Sequence, residues 1–189
     1  MGSMTPFDIV MFLGLFVMFI VGYAQGITRR LLGIGAILFS LALAAQLRAF
    51  VGGYLANEWT TTPPEYGFAF GFLGVFIFSS VVLSILIQMS YRPAPLLWRY
   101  PVLDEILGGV LGVIEGLIIF MAVLICLDPY FRTANPGGVN GEFGPLRALW
   151  TFIDPSLTAG FFRENVIPGA FFIFGFLFPQ SVIDAFKAH

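Results

Sequence analysis

Residues 67–89 read GFAFGFLGVFIFSSVVLSILIQM, without one charged side chain. About 20 such residues cross a ~30 Å hydrocarbon core as a helix rising ~1.5 Å per residue. The rest of the chain agrees. Of 189 residues, 58% are hydrophobic and only 11% are charged, with nine Lys/Arg, eleven Asp/Glu and a mean hydropathy of +0.92. Soluble domains are about 25% charged, so this chain is too poor in charge to cover a soluble globule. The apolar excess excludes disorder. The lack of a basic stripe excludes nucleic-acid binding. An integral membrane protein remains, with length for about four or five spans.

Three more apolar runs flank that segment, at 7–24, 31–47 and 106–127. The first has no basic stretch before it and no clean cleavage site after it, so it reads as a retained span. Residues 22–30 form a short polar turn that makes the first two spans an antiparallel hairpin. Thr60-Thr61-Thr62-Pro63-Pro64 breaks any helix before the third span. Arg92, Pro93, Pro95, Arg99, Pro101, Asp104 and Glu105 mark a loop over 90–105, and Asp128-Pro129 ends the fourth span. Met1-Gly2-Ser3-Met4 reads as a natural start or an expression scar.

The expected fold is all-α. Residues 1–128 form an integral membrane bundle of four transmembrane helices, and 129–189 form a C-terminal tail of short interfacial or amphipathic helices. In that tail 133–145 reads as a loop, followed by segments at 145–153 and 156–167. Residues 166–179 would cover only about 21 Å as a helix. They are read as interfacial or re-entrant, with a fifth span as the alternative. Trp59, Trp98 and Trp150 lie outside the four spans, which suits interfacial anchoring.

Arginine placement gives an orientation. Arg29 and Arg30 follow span one, and Arg92 and Arg99 follow span three. Beyond Arg48 at its edge, the loop after span two carries only Glu58 and Glu65. Loops one and three therefore read as cytoplasmic, with both termini outside.

Little in the sequence points to catalysis. Cys126 is the only cysteine and His189, the last residue, the only histidine. A disulfide, a histidine-centred triad or a His/Cys metal site lacks its parts. No phosphate loop or metalloprotease helix motif occurs. No catalytic, metal-binding or cofactor-binding residue is expected, and the chain reads as non-enzymatic.

Two features ask for an interior role. Gly108, Gly112 and Gly116 recur every four residues, and Gly22/Gly26 and Gly67/Gly71 share that spacing. In lipid, helices associate by close packing, which small residues allow. These positions read as a packed bundle interior, or as a face for self-association or another membrane subunit. Glu115 lies near mid-bilayer, about 13–14 Å into span four. A carboxylate there costs ~2.5 kcal/mol or more unless neutralised, paired or wetted. On the glycine-bearing face it points at another helix. It is a neutral or arginine-paired structural group, or else part of a proton or substrate path. Asp8 opens span one, where the helix dipole favours a negative charge.

Taken together, the chain resembles the colicin V production protein (CvpA) family of bacterial inner-membrane proteins. Three stretches over 7–128 carry the resemblance. One is Phe7-Asp8-Ile9. Another is the Gly22-x-x-x-Gly26-x-x-Arg29-Arg30-Leu31 turn. The third is Leu103-Asp104-x-x-Leu107-Gly108-x-x-x-Gly112-x-x-x-Gly116. Gln25, Glu105 and Glu115 depart from the family pattern, in which basic residues are common at these positions. The resemblance implies a bacterial inner-membrane scaffold or factor tied to peptide-toxin export or envelope maintenance. Two other readings stand beside it. One is an accessory transmembrane subunit of a respiratory or photosynthetic complex. The other is a transporter or channel component using Glu115.

Overall fold

The computed structural model describes residues 4–90, 99–134, 137–138, 142–177 and Ile183. Most of these are helical, with no strand among them. Three long helices dominate: α1 at Pro6–Glu58, α2 at Pro64–Ser90 and α3 at Pro101–Asp128. Each is long and apolar enough to cross a membrane. Prolines in the first turn open all three, where a missing N–H costs nothing.

α1 is 53 residues long, but it does not run straight. Gly26 has φ 73° and ψ 175°, a backbone state open essentially to glycine alone. It divides α1 into an N arm (6–25) and a C arm (27–58). Contacts with α3 show that the chain reverses here. Along the N arm, Phe7, Leu15, Met18, Gly22 and Gly26 meet Phe120, Gly116, Gly112, Gly108 and Asp104 in turn. Along the C arm the order is opposite: Gly33 meets Glu115, and Arg48 lies near Cys126. α2 then returns along the C arm, with Phe68 and Gly71 on Gly52 and Gly67 on Ala56.

This corrects the expected polar turn over 22–30. Helix continues on both sides of Gly26, and one glycine does the turning. The C arm also runs eleven residues past the expected end at 47, to Glu58. On α3, Pro101–Glu105 are helical rather than loop. Arg92, Pro93, Pro95 and Trp98 lie outside the described residues.

Two seams hold the bundle at backbone distance. A β-carbon at Gly108 would lie 2.6 Å from the Gly22 carbonyl oxygen, and one at Gly71 would lie 2.7 Å from the Gly52 nitrogen. Only glycine permits such approach, and dispersion across it replaces the hydrophobic drive that lipid removes. The outer faces stay apolar and exposed, as at Phe12, Phe16 and Phe78.

After α3 comes a π-helical turn, Pro129–Ala134, and then α4 at Gly144–Ile153. α5 at Leu157–Phe161 passes through a π-helical turn, Phe162–Val166, into α6 at Ile167–Phe174 and a 3₁₀ turn ending at Leu177. No break separates the expected segments 156–167 and 166–179 up to that point. His189, Phe178 and Pro179 lie outside the described residues. Trp150 is not a free anchor: it is buried, and its indole N–H donates to Asp128 at 3.2 Å.

Candidate functional site

Two polar centres stand out, at opposite ends of the bundle. The first is a cleft of about 180 Å³ at the Gly26 end. The C arm supplies Arg29, Arg30 and Gly33, α2 supplies Ser84, Ile87 and Gln88, and α3 supplies Glu115. Gln25 closes it from the last turn of the N arm. Arg30 is ion-paired with Glu115, and their side chains are only 6% and 13% exposed. Gly33 makes room for the pair: a β-carbon there would sit 3.0 Å from Glu115 Oε1. Beyond Glu115 the interior of α3 is filled by Phe120, Met121, Ala122, Leu124 and Ile125, all buried. The cleft therefore ends at the ion pair.

Arg29 differs from its neighbour. It is half-buried in the cleft and makes no ion pair among the described residues. Arg30 keeps one more buried donor, its Nε, without a hydrogen-bond partner among them. The cleft thus holds two guanidinium groups and one carboxylate, a net positive charge.

The second centre ties the tail to the other end. Asp8 closes a capping box with Thr5 at the start of α1. The same carboxylate accepts the backbone N–H of Leu157 at 3.4 Å and of Thr158 at 2.9 Å, and the Thr158 hydroxyl at 2.6 Å. One acid satisfies the first turns of two helices whose N-termini converge on it. Arg163 forks onto Asp128 with two bonds of 2.7 Å and reaches Asp154 at 2.9 Å. Burial pulls the Arg163 pKa down, but its hydrogen bond to Asp128 and that negative charge outweigh burial and hold it above its ordinary value. Arg147 pairs with Glu142 at 2.8 Å, and the Tyr66 hydroxyl accepts the Phe143 N–H at 2.9 Å.

Asp8→Ala is expected to loosen the start of α5 while the bundle stays folded. It removes five hydrogen bonds to a charged acceptor, three of them from the tail, so the amides of residues 157–159 should exchange with deuterium at least about tenfold faster. Asp8→Asn should fall between. Unchanged exchange in Asp8→Ala would show that the Arg163–Asp128 tie and the Phe7, Phe120 and Phe162 packing hold the tail without Asp8.

The model of the family described as Colicin V production protein matches residues 7–167. The chain belongs to that family. No curated protein and no solved structure matches it. The family match runs well past the 7–128 stretch that carries the sequence resemblance. It takes in α4, α5 and the Asp8–Thr158 and Asp128–Arg163 ties.

The family-motif residues fall into distinct places. Gly22, Gly108, Gly112 and Gly116 line the seam between the N arm and α3, and Gly26 makes the reversal beside the buried Asp104 carboxylate. Arg29 and Arg30 belong to the cleft, and Asp8 to the opposite end. Arg30 is interior rather than a loop charge. Gly52, Asp128, Thr158 and Arg163 have structural weight that sequence reasoning missed. For Gly52 a signal existed: Gly52-x-x-x-Ala56 is a small-residue pair facing Gly67 and Gly71. For Thr158 and Arg163 none did, because their partners lie 150 and 35 residues away.

Proposed function

We propose that this family member is a non-enzymatic, four-pass inner-membrane scaffold for peptide-toxin export or envelope maintenance. The supporting observation is the reversal at Gly26 between two glycine-packed seams. It turns one 53-residue helix into two antiparallel passes of ~30 and ~48 Å, and α2 and α3 add two more. Arg29 and Arg99 lie toward the Gly26 end, which the positive-inside rule assigns to the cytoplasm. Both termini then lie outside, with α4–α6 at the outer interface. The motif glycines are occupied within the chain. Association with a second copy or another membrane subunit therefore falls to the exposed apolar helix faces.

A second reading, a transporter using Glu115, is favoured by the cleft that reaches this residue. The two separate in a host that exports colicin V and lacks its own family member. A scaffold needs the buried pair only for packing, so Arg30→Met/Glu115→Leu together should restore export as the wild type does. Lost export at normal membrane levels of this double variant would favour the transporter. Cysteines placed at Thr62 and Arg99 should label from opposite sides of the membrane. Labelling from one side would refute four passes.

A further inference from the structure

The polar cleft does not stand alone. Beside it, sharing Ile87, lies an apolar groove of about 340 Å³ between the C arm and α2. Leu32, Leu83, Leu86 and Ser90 complete its walls. The two lie side by side against Ile87, polar on one side and apolar on the other, and are treated together as one amphipathic recess. At its head, Arg29 has no ion-pair partner among the described residues, and the buried Nε of Arg30 has no acceptor there. Gln25, Ser84 and Gln88 add donors. Arg29 is three residues past the reversal, about 4.5 Å along the helix, and so near the membrane surface. Leu83 lies seven residues before the end of α2 and so about 10 Å deeper toward the hydrocarbon. The Arg29 charge sits where headgroups lie, and Leu86 and Leu83 lie successively deeper along α2, on the path of an acyl chain.

We propose that this recess binds an anionic membrane phospholipid, its phosphodiester on Arg29, one acyl chain along Leu32, Leu83 and Leu86. The inference rests on the chain residing in a bilayer, which family membership supports, and not on the scaffold role. Glu115 neutralises one arginine and leaves one positive charge, matching a singly charged phosphodiester. Guanidinium is suited to phosphate because its fork presents paired donors to paired oxygens. A zwitterionic lipid brings its own ammonium into a recess that is already positive, and binds less well.

The test uses the full chain in phosphatidylcholine nanodiscs containing phosphatidylglycerol, with bound lipid counted by native mass spectrometry. Wild type is expected to retain phosphatidylglycerol over phosphatidylcholine. Losing a charge-assisted contact should weaken this preference about tenfold in Arg29→Gln and more in Arg29→Glu. Leu86→Trp, which fills the groove and leaves the charge, should lose the lipid as well. Millimolar inorganic phosphate should not displace it. Equal retention by wild type and Arg29→Glu overturns the proposal. Displacement by inorganic phosphate, with Leu86→Trp unaffected, also overturns it and makes the ligand a soluble anion. Should Arg29→Glu not fold, Arg29→Gln and Leu86→Trp decide. Four-pass topology is read by cysteine labelling, so failure here leaves the scaffold reading standing.

Discussion

Glu115→Leu is expected to destabilise the protein by about 3–5 kcal/mol, and adding Arg30→Met to recover most of that loss. The asymmetry follows from burial. Arg30 and Glu115 are almost wholly withdrawn from water and are paired directly. Removing the carboxylate alone strands a guanidinium that cannot shed its charge in a low-dielectric interior. Removing both exchanges a desolvated ion pair for two apolar side chains of similar reach, which is often neutral or stabilising. Reversible unfolding in mixed micelles of the wild type, both single variants and the double variant closes a double-mutant cycle. A double variant as unstable as the two singles summed would mean that the groups do not interact. The effect should change little between low and high salt, because a buried pair is poorly screened.

How far the sequence shows this architecture depends on the range of the interaction. Span-length apolar runs report on themselves, so α2 is legible within three residues at its start and one at its end. Gly22, Gly26 and Asp104 were legible as a pattern, because helical spacing puts them on shared faces. What each does was not legible. Gly22 and Gly26 have the spacing of a packing pair, and both lie at backbone distance from Gly108. Gly26 carries a backbone angle as well, and no spacing rule encodes a dihedral. Arg30 shows the converse. Adjacent to Arg29 and followed by leucines, it reads as a loop charge until the reversal at Gly26 turns it inward to Glu115. An arginine partner for Glu115 is among the alternatives the residues allow, but the identity of that arginine depends on which way the chain folds back. The tail ties were out of reach for the same reason. Asp8 as a helix-opening acid is a local inference, while its second set of donors at Leu157 and Thr158 exists only in three dimensions.

The glycines should separate into two classes when each is replaced by alanine. Gly108→Ala and Gly112→Ala are expected to destabilise by about 3 kcal/mol or more, at the upper end for overpacking. The added methyl at Gly108 meets the Gly22 carbonyl at 2.6 Å and the Gly26 Cα at 2.8 Å, and at Gly112 it meets the Met18 backbone. Backbone cannot rotate aside as a side chain can, so the N arm and α3 must separate along their whole seam. Gly26→Ala adds about 1–3 kcal/mol of dihedral strain to a clash with the Asp104 carboxylate. Gly116→Ala should be mild, because it meets only side-chain atoms, the movable tip of Leu15 at 3.0 Å and Met18 Cγ at 3.4 Å. Gly35 and Gly74 have nothing within 4 Å, so alanine there should be neutral or stabilising by up to about 1 kcal/mol. The same unfolding assay ranks all six. If Gly35→Ala and Gly108→Ala proved equally harmful, the loss would come from glycine's flexibility, and the seam would not be what holds the hairpin to α3. If Gly26→Ala alone were harmful, the reversal would stand by its dihedral, with packing along α3 following from it rather than enforcing it.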